Sequence, residues 1–168
     1  MTKQKHVAVV VFFGLALAMA GLAQAAPVQG YPALQGVKSM NAVIDVRGKS
    51  PAAVLGALKL VHAMYKDKAV PQTDPGRHFV VIFIGPAVKL VSTARQGFSP
   101  AEGKVLDKLA QEVKAMAADG IKLELCVFAA KVFNVKLPTI LPEITQVPNG
   151  WISLIAYQQK GFALVPIY

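Results

Sequence analysis

The chain has 168 residues, 54% of them hydrophobic, and its 18 Lys and Arg against 9 Asp and Glu give a formal net charge of +9. That charge favours acidic partners or membrane surfaces in a general electrostatic sense. The lysines are scattered, however, Arg47, Arg77 and Arg95 are the only arginines, and no stretch pairs clustered basic residues with stacking aromatics, which argues against nucleic-acid binding. A single cysteine, Cys126, excludes an internal disulfide.

The amino-terminal segment reads as a secretory signal peptide over residues 1–25. Lys3 and Lys5 precede an apolar or small-residue run from Val7 to Leu22, and Ala23-Gln24-Ala25 follows with small residues at the cleavage-reading positions. The run is shorter than the roughly 20 residues that span a bilayer, so no stable membrane span is expected after cleavage, and the expected location is periplasmic or secreted. The remaining 143 residues suffice for one domain with a real core. Residues 26–39, with Pro27, Gly30, Pro32 and Gly36, read as a flexible leader, and residues 40–168 as the domain.

Asn41 to Val46 is a short β-branched run, and Ser50-Pro51 then offers an N-cap with proline in the first turn of a helix over 51–66. Val54, Leu55, Leu58, Val61 and Tyr65 recur at three- and four-residue steps, so one face of that helix should lie on a sheet. Pro71, Asp74, Pro75 and Gly76 mark a loop. Phe79 to Ile84 is apolar throughout, as a central parallel strand covered on both faces requires, and Gly85-Pro86 ends it, with a turn of helix expected over 89–92. Ser99-Pro100-Ala101-Glu102 forms a capping box, Val105, Leu109, Val113 and Met116 mark the inner face of the helix it opens, and Gly120 stops it.

Ile121 to Cys126 alternates, with Leu123 and Leu125 on one side and Lys122, Glu124 and Cys126 on the other, which predicts a half-exposed strand or one at an oligomer surface. A short helix from Val127 to near Asn134 follows, then a proline-rich crossing with a brief strand at 144–147. Asn149 can cap a last helix over 150–160 with Trp151, Leu154 and Ile155 inward, and Phe162 to Ile167 closes as a strand. This alternation predicts a single α/β domain, a mostly parallel sheet of four or five strands flanked by helices in flavodoxin-like layering.

No glycine loop for nucleotides and no G-x-S-x-G elbow is present, and His62 and His78 stand too far from each other and from Cys126 to share a metal, so neither a cofactor nor a metal is expected. Asp45, inside the first strand, reads best as bonded to a neighbouring loop. Cys126 is the candidate that remains. Sites of open α/β sheets gather at the carboxyl ends of strands, and helix amino-terminal amides favour a thiolate. A small buried apolar residue is the alternative reading of the same position.

The segments Glu124-Leu125-Cys126, Leu141-Pro142-Glu143-Ile144 leading to Val147-Pro148-Asn149-Gly150, Gln158 to Ala163, and Phe83-Ile84-Gly85-Pro86-Ala87-Val88 resemble the DsrE/DsrF-like family of small sulfur-transfer proteins. The resemblance implies a largely parallel sheet between helices, assembly as a homo-oligomer (trimer or hexamer), and a cysteine that carries sulfane sulfur as a persulfide. On this basis Cys126 is the expected catalytic acceptor, Lys122, Lys131 and the Gly85-Pro86 turn are expected to line its site, and the partners are a sulfane-sulfur donor and a thiol acceptor protein. The other reading is a noncatalytic binding or assembly module of the same fold with Cys126 packed away, which the bulk of Val127 and Phe128 favours.

Overall fold

A computed structural model describes residues 30–71 and 77–168. The signal segment predicted over residues 1–25 and the centre of the loop after Val70 lie outside the described residues. The order of elements is β1 (Met40–Val46), α1 (Pro51–Lys66), β2 (Arg77–Phe83), α2 (Pro100–Ala118), β3 (Lys122–Cys126), α3 (Val127–Val132), β4 (Thr145–Val147), α4 (Gly150–Gln159) and β5 (Ala163–Ile167), with 3-10 turns at Pro32–Leu34, Gly85–Lys89 and Leu137–Thr139. All five strands are parallel, in the order β4-β3-β2-β1-β5. Among the described residues no helix is long and apolar enough to cross a membrane.

Side-chain alternation assigns the two faces of the sheet. Phe79 of β2 meets the ring of Tyr65 in α1 at 5.3 Å, and α1 packs beside α2, so these two helices cover one face. Ile84, of the opposite parity, lies against Gly150 at the start of α4, which crosses β1, β2 and β3 on the other face. Phe79 to Phe83 are buried at every position, as expected for a strand with helices on both sides. The helix starts follow local chemistry. Ser50 Oγ accepts from the Ala53 N–H, and Ser99 and Glu102 form the reciprocal capping box, holding the Glu102 carboxyl below its usual range through bonds from the Ser99 N–H and hydroxyl. Between α1 and α2, His62 places one ring nitrogen 2.7 Å from Glu112 and the other 2.7 Å from Asp119, which Lys66 also reaches at 2.8 Å.

Four details depart from the sequence expectation. The β3 side carrying Glu124 and Cys126 is buried rather than half exposed, because α4 lies over it. In α2 the buried residue of the first turns is Leu106, not Val105: steps of three, four and three through Leu106, Leu109, Val113 and Met116 track the 3.6-residue period, whereas two consecutive steps of four drift off the face. In α4, Gly150 and Leu154 point inward while Trp151 and Ile155 stay 57% and 56% exposed. Close approach of Gly150 to the sheet sets this rotation, since Trp151 is one residue, about 100°, further around the helix. The helical turn expected over 89–92 forms earlier, at Gly85–Lys89, where Gly85 adopts φ +59° and Pro86 supplies a first-turn φ.

Candidate thiol site at the carboxyl ends of the strands

In a parallel sheet every strand delivers its last residue to the same edge, so the ends of β1, β2 and β3 bring Arg47, Ile84-Gly85 and Cys126 together. Cys126 is both the last residue of β3 and the N-cap of α3, with φ −74° and ψ 108°. Its Sγ accepts a hydrogen bond from the Ala129 N–H at 3.4 Å. The residue is only 2% exposed. It nevertheless forms part of the wall of a cavity of about 290 Å³.

Three groups of residues build that cavity. Phe128, Ala129, Val132 and Phe133 come from α3 and its end, Asn149 and Trp151 from the start of α4, and Arg47, Ile84 and Gly85 from the sheet edge. Phe128, Val132 and Trp151 are largely exposed, so the cavity meets the surface between α3 and α4. Asn149 Oδ1 accepts the Trp151 N–H at 3.0 Å, which caps α4. Gly150 is needed for contact: a Cβ there would stand 3.0 Å from Cys126 Cβ and 3.0 Å from Ile84 Cγ1.

Arg47 is the only charged side chain in the wall. Its Nε donates to Asp45 Oδ2 at 2.8 Å, and its guanidinium lies 5.2 Å from the centre of the Trp151 ring. Asp45 is 4% exposed, and its other oxygen has no hydrogen-bond partner among the described residues. Further back on the same face, Tyr157 of α4 donates to Glu124 Oε1 at 2.8 Å, while Glu124 Oε2 is buried without a partner among the described residues. Burial, and then the Glu124 carboxylate, push the Tyr157 hydroxyl up to about 12.

Of the residues expected at the site, Gly85 joins Cys126 in the wall and Pro86 sits behind it in the turn Gly85–Lys89. Lys122 begins β3, four residues from Cys126 and about 13 Å along a strand. Lys131 is exposed on α3 outside the cavity. The cation that does reach the cavity, Arg47, escaped the sequence reading, although it follows the end of β1 just as Cys126 ends β3. Two larger hollows lie elsewhere, one of about 420 Å³ near Ser92 and Thr139 and one of about 540 Å³ between Tyr31 and α1. Lys89 and Lys136 line the first hollow, but Ser92 Oγ there is engaged by Thr139 and by the Ala94 N–H, and the second hollow is mostly apolar, so among the described residues the Cys126 cavity is the one that joins a thiol to a cation.

The sequence profile of the DsrE/DsrF-like family matches residues 50–167. A protein of Aquifex aeolicus described as uncharacterized is 28% identical over 89 residues, a match covering 52% of this chain and 39% of that relative's length. Among solved structures, a Methanobacterium thermoautotrophicum protein of unknown function is similar with a TM-score of 0.58 at 14% identity, covering 76% of this chain and 98% of that one. The YchN protein of E. coli gives a TM-score of 0.56 at 13% identity over 76% and 100% of the two chains. A Bacteroides thetaiotaomicron protein of unknown function gives 0.55 at 21% identity over 76% and 94%. These structures share the fold, and the chain belongs to the DsrE/DsrF-like family.

Proposed function

We propose that this DsrE/DsrF-like protein is an exported sulfur carrier that accepts sulfane sulfur on Cys126 and passes it to a second thiol. Family membership supports a sulfur-relay-related role in general terms. The observation that carries the finer reading is the position of Cys126, a wall residue of a cavity at the carboxyl ends of the strands, with the Ala129 N–H directed at its Sγ.

The chemistry is exchange at sulfur. The Cys126 thiolate attacks the outer sulfur of a donor persulfide R–S–S⁻, the donor S–S bond breaks, R–S⁻ leaves, and Cys126 holds the new persulfide. An acceptor thiolate then attacks that outer sulfur and regenerates the Cys126 thiolate. The acceptor is another protein in this proposal, and the apolar exposed side chains of α3 and α4, among them Phe128, Ile152 and Ile155, suit a homo-oligomer.

The 2% exposure of Cys126 favours a second reading, a noncatalytic assembly module in which the thiol only fills space. Intact mass of the protein after incubation with a sulfane-sulfur donor separates the two. A reducible gain of one sulfur that is absent from Cys126→Ser supports the carrier. A thiol that neither gains sulfur nor alkylates in the native state refutes it.

A further inference from the structure

The cavity beside Cys126 combines features that a bare thiol pocket does not need. Its volume, about 290 Å³, lies near the lower end for ligand sites, about 300 Å³. Most of its wall is apolar or aromatic, and a single cation stands in it. Arg47 commits Nε to Asp45 and faces Trp151, which fixes the guanidinium plane and leaves its terminal nitrogens without an acceptor among the described residues. Asn149 spends its oxygen on the Trp151 N–H, so its amide nitrogen is the end left to donate. A planar fork and an amide donor beside an apolar wall suit an oxyanion attached to an apolar body.

We propose that this cavity binds a small organic sulfur oxyanion, its head group held by Arg47 and Asn149 and its body among Phe128, Val132 and Trp151, so that Arg47 selects the sulfur donor. An organic thiosulfonate, R–SO2–S⁻, has this shape. The Cys126 thiolate attacks its outer sulfur, the bond from that sulfur to the sulfonyl sulfur breaks, Cys126 retains the persulfide, and R–SO2⁻ leaves as a sulfinate beside Arg47. Two anions become two anions, with no external oxidant or reductant. The transfer rests on the persulfide reading of Cys126, whereas the binding does not.

The test uses the full chain and its single tryptophan, Trp151, whose emission reports occupancy of the cavity directly. Titration with benzenesulfinate should change that emission saturably, and the neutral benzenesulfonamide should bind more weakly. Replacing Arg47 alone would strand the buried Asp45, so the informative variant is Asp45→Asn with Arg47→Met, compared with Asp45→Asn alone. The double variant should lose sulfinate affinity about tenfold or more, the size of a lost charge-assisted bond, with sulfonamide binding unchanged, while the single variant retains sulfinate. Equal binding of the two ligands, no saturable change, or sulfinate affinity indifferent to Arg47 overturns the proposal. If sulfinate binds through Arg47 but benzenethiosulfonate adds no sulfur to Cys126, the anion site stands and its role in selecting the sulfur donor falls, whereas the carrier reading itself falls only if a persulfide donor also leaves Cys126 unmodified.

Discussion

Gly150 is where the fold and the thiol site press hardest on each other, and Gly150→Ala measures that pressure. The added methyl would lie 3.0 Å from Cys126 Cβ, 3.0 Å from Ile84 Cγ1 and 3.1 Å from Ile84 Cδ1. Carbon atoms rest comfortably at about 3.5–4.0 Å, so the start of α4 must lift or two fully packed side chains must give way. Overpacking of this kind costs about 1–3 kcal/mol. Alanine's advantage over glycine in the helix and in the unfolded chain returns up to about 1 kcal/mol. The net loss therefore lies between about 0 and 3 kcal/mol, and its middle, about 1–2 kcal/mol, lowers Tm by roughly 3–8 °C for a domain of this size. Lifting α4 also widens the gap above Cys126. Thermal unfolding and the rate of Cys126 alkylation in the native protein should therefore change together, stability down and alkylation faster. A variant at least as stable as the parent with an unchanged alkylation rate would mean that Gly150 does not hold α4 against the sulfur.

Tyr157→Phe should cost about 1–2 kcal/mol in urea unfolding, because it strips the buried Glu124 of its one side-chain donor among the described residues. The same residue shapes the alkaline limb. Its folded pKa of about 12 exceeds the ordinary value of 10, so its contribution is complete below pH 10 and is lost as pH rises towards 12, and Tyr157→Phe should remove that part of the decline. Asp119 shows the opposite sign. Lys66, and then His62, hold its carboxyl below the ordinary value of 3.8, so its contribution is present above that value and is lost as pH falls, and Asp119→Asn should flatten the acid limb of a stability-against-pH curve. Ser99→Ala dismantles the capping box and should lower stability by about 1 kcal/mol in the same urea assay; no change would show that α2 starts without it.

The elements most legible in the sequence were those whose signals are local. Ser50-Pro51 and Ser99-Pro100-Ala101-Glu102 announce α1 and α2 because capping is settled within four residues, and the unbroken run at Phe79 to Phe83 declares a strand covered on both sides. Cys126 stood out by the rule that sites collect at strand ends, and it does form part of a cavity wall there. Arg47 obeys the same rule but offers no local signal, since its place beside Cys126 depends on β1 and β3 flanking β2, a long-range fact. Lys122 is close to Cys126 in sequence and far from it in space because an extended strand separates its ends. The orientation of α4 was illegible for another reason. Its residues are apolar on nearly every side, so periodicity cannot choose an inner face, and the choice is set at Gly150, where the lack of a Cβ lets the helix start lie against Cys126 and Ile84.

The outer margin of β5 closes the sheet chemically as well as geometrically. Ile167 O accepts from the Arg47 N–H, so residues of its parity face β1 and the intervening Pro166 faces outward. Proline has no amide hydrogen to offer there, and an incoming strand would find the donor row interrupted. Growth of the sheet by edge-to-edge stacking is thereby discouraged on that border, and a second copy meeting the molecule there would have to associate through side chains rather than backbone.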